Sequence, residues 1–351
     1  MKKEEKRERT ESVHRCGCMF IPPHVLENLA RARVAPARLS IQQAILSRKK
    51  RGAKSVEMKT FAGIAPAGQG PRKVYDCQNT WVQQGKLVRK EGGAATADQV
   101  VNKVYDYAGT VRDYYGKVLN RNSIDNAGME MILNVHFGVD YMNAFWDGDE
   151  MTFGDGDGTI FVNFAESLDV VAHELTHGVT QFTANLVYQD QPGALNEHFS
   201  DVFGSVITQY ANGQTAHDAD WLIGDEIMGP SLFGEALRSM KAPGTAYDNA
   251  LIGKDPQPDH MSKYYPGPGD NGGVHINSGI PNKAFYLVSM EIGTDKAAGI
   301  WYHALQNLWA TANFNDAVGV IVESTRILTK NGQAPLGSTQ TVRSAFKAVG
   351  L

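Results

Sequence analysis

Val171-Ala172-His173-Glu174-Leu175-Thr176-His177-Gly178 places two histidines four residues apart, with a glutamate directly after the first. Residues four apart on a helix project from one face, so His173 and His177 can grip a single metal ion. Glu174 lies beside that face, where a carboxylate can take a proton from water that the metal activates. An ordinary amphipathic helix could carry the same pair, but the chain beyond it argues for a metal. Gly193 to Gly204 has helical apolar spacing at Leu195, Phe199, Val202 and Phe203. Its Glu197 and Asp201 are again four apart, so both carboxylates can face the first helix. A catalytic zinc takes three protein ligands and keeps one position open, and His173, His177 and Glu197 make three. Asp201 can then accept the other ring N–H of His173 and fix its tautomer, with Asn196 doing the same for His177.

These two helices need a frame. Tyr75 to Lys90 is β-hairpin material, and Thr96 to Leu119 has helical spacing after a Thr/Asp start. Met129 to Trp146 alternates as strands do, and Phe153 to Phe164 reads as a further strand region around a Gly-Asp-Gly-Asp-Gly turn. From Asp169 onward helices dominate. Asp155 to Glu166 offers oxygen ligands at the EF-hand places, but Ile160 stands where the loop needs glycine, so a turn is expected. Near the start, Pro22-Pro23 enters a short helix, and a second helical stretch near Leu39 to Leu46 leads into the basic run Ser47 to Ala53, a flexible processing site by its composition.

At this point the chain resembles the thermolysin-like metallopeptidases over about residues 70 to 351. Asn143-Ala144-Phe145-Trp146 looks like the family's substrate-binding edge strand, with Asn143 and Ala144 holding an extended peptide. Tyr188 matches the phenol that helps stabilise the tetrahedral intermediate. Arg238 matches the arginine that binds the carbonyl beyond the scissile bond. Asp270 to Gly279 matches the segment carrying the catalytic histidine, here His275, oriented by Asp270. The resemblance implies an α+β, two-domain zincin fold: a leader at 1–52, an N-terminal α/β domain with a mixed sheet at 53–187, and a helical C-terminal domain at 188–351. It also implies one catalytic Zn²⁺, protein or peptide substrates and a monomer.

The chemistry then expected is metal-assisted peptide hydrolysis. Glu174 serves as general base, while Tyr188 and protonated His275 donate to the developing oxyanion. The family's pocket beyond the scissile bond maps onto Phe161, Phe164, Val170, Ile223, Ile227 and Leu237, an apolar set that would favour cleavage on the amino side of bulky hydrophobic residues. Family calcium ligands are similar to Asp169, Asp220 and Asp225, with the Leu222 carbonyl. Thr208 and Gln209 stand where relatives have glutamate, so one weak Ca²⁺ site is expected rather than a cluster. A deformylase would share the two-histidine motif but takes a cysteine as third ligand, and none lies beyond Cys77. A catalytically silent peptide binder would be free to lose Glu174 or His275.

Composition agrees with an enzyme. With 351 residues, 42% hydrophobic and 21% charged, the chain can bury a large core. No apolar run approaches the roughly 18 residues that span a bilayer, so no membrane partner is expected. The net charge of −4 hides an asymmetry. Residues 1–52 hold 13 Lys/Arg against 5 Asp/Glu, a balance of +8, and the remainder holds 21 against 33, a balance of −12. A basic leader on an acidic body is expected to dock there. The aromatic interleaving that stacks bases is missing, so nucleic acid is not an expected partner.

The charged start has no apolar stretch after it, so no ordinary secretory signal is read. Cytoplasmic synthesis is expected, with any release by a signal-independent route. The three cysteines Cys16, Cys18 and Cys77 are too few for a disulfide scaffold. The leader, with Ile21-Pro22-Pro23-His24-Val25-Leu26, resembles the short prosegment of the protealysin-like subgroup, which implies self-inhibition. Cys16 or Cys18 beside Pro22-Pro23 offers one device for it, because a thiolate can take the open zinc position at about 2.3 Å.

Overall fold

The computed structural model describes residues 18–53 and 70–351. The leader supplies α1 (Pro23–Arg31) and α2 (Ala35–Ala53). Pro22, extended at φ −59° and ψ 146°, caps α1, and Pro23 takes its first position, where a missing N–H costs nothing. The backbone of α2 runs on through Ser47 to Ala53, so the basic stretch expected to be flexible is helical. Lysine and arginine are good helix formers, and no glycine interrupts the run before Gly52.

The body opens with β1 (Arg72–Asp76), β2 (Lys86–Lys90), α3 (Gln99–Lys117), β3 (Met131–Val135), β4 (Ala144–Trp146) and β5 (Met151–Phe153). The strands form one mixed sheet in the order β2-β1-β3-β5-β4. β1 pairs antiparallel with β2 and parallel with β3, and β4 pairs antiparallel with β5. β4 is thus an edge strand, with one side open to an added strand. The strand expected from Phe153 to Phe164 stops at Phe153. Asp157 Oδ1 accepts from the backbone of Thr159, Ile160 and Phe161 at 3.0, 2.7 and 3.3 Å, which makes the turn expected here and leaves no ladder after it. The EF-hand oxygens are spent elsewhere, Asp155 on His136 and Glu166 on Lys103.

α4 (Leu168–Gln181) and α5 (Asp190–Asn212) cross the middle of the molecule, and every residue of α4 is buried. Short pairs β6 (Leu222–Ile223) with β7 (Arg238–Ser239), and β8 (Asp248–Asn249) with β9 (Gly253–Lys254), follow. The remaining chain is helical: α6 (Gly269–Asn277), α7 (Gly279–Ile292), α8 (Thr294–Leu305), α9 (Phe314–Lys330) and α10 (Ser338–Ala348). An α+β half and a helical half thus meet along α4. Among the described residues, no helix is long and apolar enough to cross a membrane.

One ionic node ties the frame together. Asp98 caps α3 through the N–H groups of Val100 and Val101, and its other oxygen lies 3.0 Å from His136 Nε2. His136 Nδ1 lies 2.9 Å from Asp155 Oδ1. The bond to Asp155 leads in raising the His136 pKa from 6.5 to about 9. A folded pKa above the unfolded one means stability that is fully present below pH 6.5 and lost as pH rises through 9. Replacing His136 with glutamine is therefore expected to cost about 1–2 kcal/mol at pH 6 after discounting for solvent screening. The cost should shrink towards pH 10, and urea melts at both pH values check it.

Candidate active site

His173 and His177 stand one turn apart on α4, with ring centroids 4.7 Å apart and planes at 85°. Their Nε2 atoms are 3.1 Å apart. Glu197 comes from α5, with Oε2 3.5 Å from His173 Nε2 and Oε1 3.4 Å from His177 Nε2. A tetrahedral ion with bonds of about 2.0–2.1 Å needs ligand atoms about 3.3 Å apart, so the three atoms fit Zn²⁺. Glu197 Oε2 is buried without a hydrogen-bond partner, as an atom kept for a cation would be. Among the described residues this is the one group of three or more His, Cys, Asp or Glu side chains close enough to hold a metal.

The outer atoms of the ligands are held as well. His177 Nδ1 donates to Asn196 Oδ1 at 2.8 Å, with Ser200 Oγ 3.0 Å away. His173 Nδ1 is 2.9 Å from Asp201 Oδ1, an ion-pair approach rather than a well-aligned hydrogen bond. Burial opposes charge on His173, but Asp201 and Glu197 outweigh it and raise its pKa to about 9; burial drives His177 down to about 3. Binding a cation would expel the His173 proton. Burial also works against ionisation of Asp201, and Arg238 overcomes it, leaving a pKa of about 2.

Glu174 faces the same space. Trp146 N donates to its Oε2 at 2.8 Å, while Oε1 is buried and unpartnered. Burial lifts its pKa to about 7. Across the space, the Tyr188 hydroxyl donates to Glu197 and lies 3.2 Å from His275 Nε2. Asp270 accepts from His275 twice, from Nδ1 at 2.6 Å and from the backbone N at 2.8 Å. It can do so because Asp270 to Gly273 form a left-handed turn with φ of 55°, 51°, 80° and 80°. Asp, Asn and Gly are the residues that tolerate this conformation. A Cβ on Gly273 would also lie 2.6 Å from the Tyr265 ring. Burial disfavours charge on His275, yet Asp270 and Glu197 prevail and its pKa is raised.

The leader runs directly through this space. Phe20 N donates to Ala144 O at 3.0 Å, and Ile21 N donates to Asn143 Oδ1 at 2.9 Å. Asn143 Nδ2 returns a bond to Ile21 O at 3.4 Å. Arg238, paired with Asp201 through Nε and Nη2, also reaches Phe20 O at 3.4 Å. His275 Nε2 donates to Met19 O at 2.8 Å. The Phe20 ring meets His173 edge-on at 5.1 Å and is fully buried. Gly224 leaves room for that ring, since a Cβ there would lie 3.0 Å from both Phe20 and Leu237. Phe161, Phe164, Val170, Ile223 and Ile227 are all completely buried in the same core.

A family model for the thermolysin metallopeptidase catalytic domain matches residues 51–181, and one for its alpha-helical domain matches residues 184–351. The chain belongs to the thermolysin metallopeptidase family. It is 46% identical over 291 residues to an extracellular metalloprotease of Pectobacterium carotovorum subsp. carotovorum, covering 82% of this chain and 84% of that one. A thermolysin of Alicyclobacillus acidocaldarius subsp. acidocaldarius is 42% identical over 290 residues, which are 79% of this chain and 50% of that longer protein. Among solved structures, the precursor of protealysin, a metalloproteinase from Serratia proteamaculans, is 41% identical with a TM-score of 0.84. That match covers 95% of this chain and 99% of the other. The chain is accordingly a protealysin-like zinc metalloendopeptidase.

One expectation needs correction in this thermolysin-family site. Cys18 is disulfide-bonded, so it has no thiolate to offer a metal; the Met19 carbonyl, not sulfur, reaches the catalytic groups. Cys16 lies outside the described residues. Cys77 is the free cysteine among the described residues. Asp169, Asp220, Leu222 and Asp225 do line one recess, but their carboxylates do not converge as the zinc group does. Asp169 instead accepts from Gly224 N at 2.7 Å and from Ser167, and Asp220 accepts from Leu222 N at 3.0 Å.

Four roles escaped the sequence reading. Trp146 holds Glu174 by its backbone, and Gln181 holds the Trp146 indole at 3.0 Å. Gln181 lies four after His177 on α4, a spacing that could have flagged it. Ser200 is a second neighbour of His177 Nδ1. Gln257 Nε2 donates to His275 O at 2.8 Å, which nothing in the sequence signals.

Proposed function

We propose that the protein cleaves peptide bonds on the amino side of bulky hydrophobic residues and is made as a precursor silenced by its own leader. The observation that carries this is the segment Met19–Ile21, bonded to Ala144 O and to the Asn143 side chain, with the buried Phe20 ring against His173. In this proposal His173, His177 and Glu197 hold the zinc, whose Lewis acidity activates water and the substrate carbonyl. Glu174 takes the proton of the attacking water and hands it to the leaving nitrogen. Tyr188 and His275 donate to the oxyanion, and each is expected to contribute about 10²–10³ in rate. Asn143, Ala144 and Arg238 align the substrate backbone, so that a near-attack geometry is built before reaction. Asp201, Asn196 and Asp270 act by holding other groups. For Ca²⁺ we propose no more than one weak site, at the Asp169, Asp220, Leu222 and Asp225 recess.

The test uses leader-free protein and a peptide library varied at the residue after the cut. Phe, Leu and Ile at that position should exceed Gly in kcat/KM by about 10²-fold, as pocket burial of a large apolar side chain implies. Removing the metal with a chelator should abolish cleavage, and stoichiometric Zn²⁺ should restore it. Cuts distributed without regard to the apolar residue would overturn the specificity reading.

A further inference from the structure

We infer that the leader is held as a substrate in register and that the protein hydrolyses its own Met19–Phe20 bond without becoming active. The inference rests on the peptidase reading of the site. The leader meets the edge of β4 and the Asn143 side chain in one register. Its Phe20 N–H goes to Ala144 O at 3.0 Å, and its Ile21 N–H goes to Asn143 Oδ1 at 2.9 Å. Each carbonyl has its own donor: Met19 O takes His275 Nε2 at 2.8 Å, and Phe20 O takes Arg238 Nη1 at 3.4 Å. The carbonyl at an oxyanion donor is the one that can be attacked, and here that is Met19. The nitrogen that must leave is that of Phe20, and the side chain filling the pocket beyond the bond is the Phe20 ring. No other peptide bond of the leader meets all three conditions among the described residues.

In the step itself, a solvent water adds its oxygen to the Met19 carbonyl carbon and the C–N bond to Phe20 breaks. The added oxygen stays in the Met19 carboxylate, the first water proton passes by way of Glu174 to the Phe20 nitrogen, and the second follows as the carboxyl ionises, so the nitrogen leaves as an ammonium group. Hydrolysis of this bond does not release the inhibitor. Phe20, Ile21, Val25, Leu26 and Leu29 are all buried in the main core. Asn28 Nδ2 donates to Ile252 O at 2.7 Å, and His24 Nε2 lies 2.8 Å from the Tyr247 hydroxyl. Pro22 and Pro23 stiffen the exit into α1. The new amine therefore stays beside the new carboxylate, where a high effective concentration favours resynthesis. Residues from Phe20 onward continue to fill the cleft, so the nick is slow, reversible and silent.

Zinc-loaded full-length protein and its Glu174→Gln variant would be incubated at several concentrations, denatured, and read by intact mass and N-terminal sequencing. Leader-free protein is assayed on a peptide in parallel. A new terminus at Phe20 should appear in the wild type alone, at a rate independent of concentration. The nicked protein should remain roughly 10²-fold less active than leader-free protein, because its apolar anchors are untouched. A second readout needs no turnover: the synthetic peptide Phe-Ile-Pro-Pro-His-Val-Leu should bind leader-free Glu174→Gln protein, and alanine in its first place should weaken binding about 10²-fold. Leader-free protein that cleaves peptides, beside full-length protein that never yields the Phe20 terminus, would overturn self-cleavage alone. A peptide indifferent to its first residue would overturn the register. Leader-free protein that cleaves nothing would overturn the peptidase reading and self-cleavage together.

Discussion

Exchanging Glu174 for glutamine in leader-free protein should lower kcat by about 10²–10⁴-fold while leaving KM and zinc content close to wild type. Glutamine keeps the shape and can still accept the Trp146 N–H that now reaches Glu174 Oε2 at 2.8 Å, but it cannot take a proton from water. A purely structural glutamate would behave differently. Glu174 is buried with Oε1 unpartnered, and burial raises its pKa to about 7, so the fold gains little from its charge. The variant should therefore melt at the same temperature as wild type or higher, which is the mark of a group kept for chemistry at some cost in stability. The base works ionised, so wild-type activity rises as pH climbs through its pKa. A cation bound beside it lowers that pKa, placing the acid limb of the profile at or below about pH 7. Stopped assays of kcat across pH, with calorimetry on the same samples, decide the point; a destabilised variant that keeps its turnover would refute the assignment.

How much of this site could be read in the chain depends on distance along it. The metal group was legible because helix geometry is local: His173 with His177, and Glu197 with Asp201, each announce a shared face at a spacing of four. Asp201 beside His173 and Asn196 beside His177 followed from the same periodicity. Nothing periodic links His275 or Arg238 to those helices, and only resemblance pointed to them. The left-handed turn from Asp270 was half visible in Gly272-Gly273, although the double bond from His275 to Asp270 required coordinates. The turn expected at Asp155 to Glu166 is there, made by one Asp157 carboxylate that captures three backbone N–H groups, but the strand expected up to Phe164 is not. The leader was read as docking by charge. Its closest contacts are instead one backbone bond from Phe20 to the β4 edge, side-chain bonds with Asn143, Arg238 and His275, and a buried aromatic ring, which net charge does not foresee.

That difference fixes what should break latency. Truncating Phe20 to alanine removes a fully buried ring from a pocket bounded by His173, Gly224 and Leu237, and large-to-small changes of this kind cost about 3–5 kcal/mol. The loss falls on docking of the leader rather than on the body, because Phe20 belongs to the leader and the five-stranded sheet is complete without it. A docking equilibrium weakened by that amount shifts by about 10²–10³-fold or more, so uncut Phe20→Ala precursor should cleave a fluorogenic peptide when wild-type precursor does not. Mutating the basic leader residues Arg31, Arg33 and Arg38 to glutamine tests the electrostatic alternative. The Arg31–Glu27 contact, at 3.6 Å, lies within α1 with both side chains mostly exposed, and exposed pairs contribute about 0–1 kcal/mol. Salt should accordingly have little effect on latency, whereas Phe20→Ala should remove most of it. Activity must be read alongside intact mass, so that peptide cleavage is assigned to precursor that still carries its leader. If the triple arginine variant is the active one and Phe20→Ala stays silent, charge rather than the pocket holds the leader down.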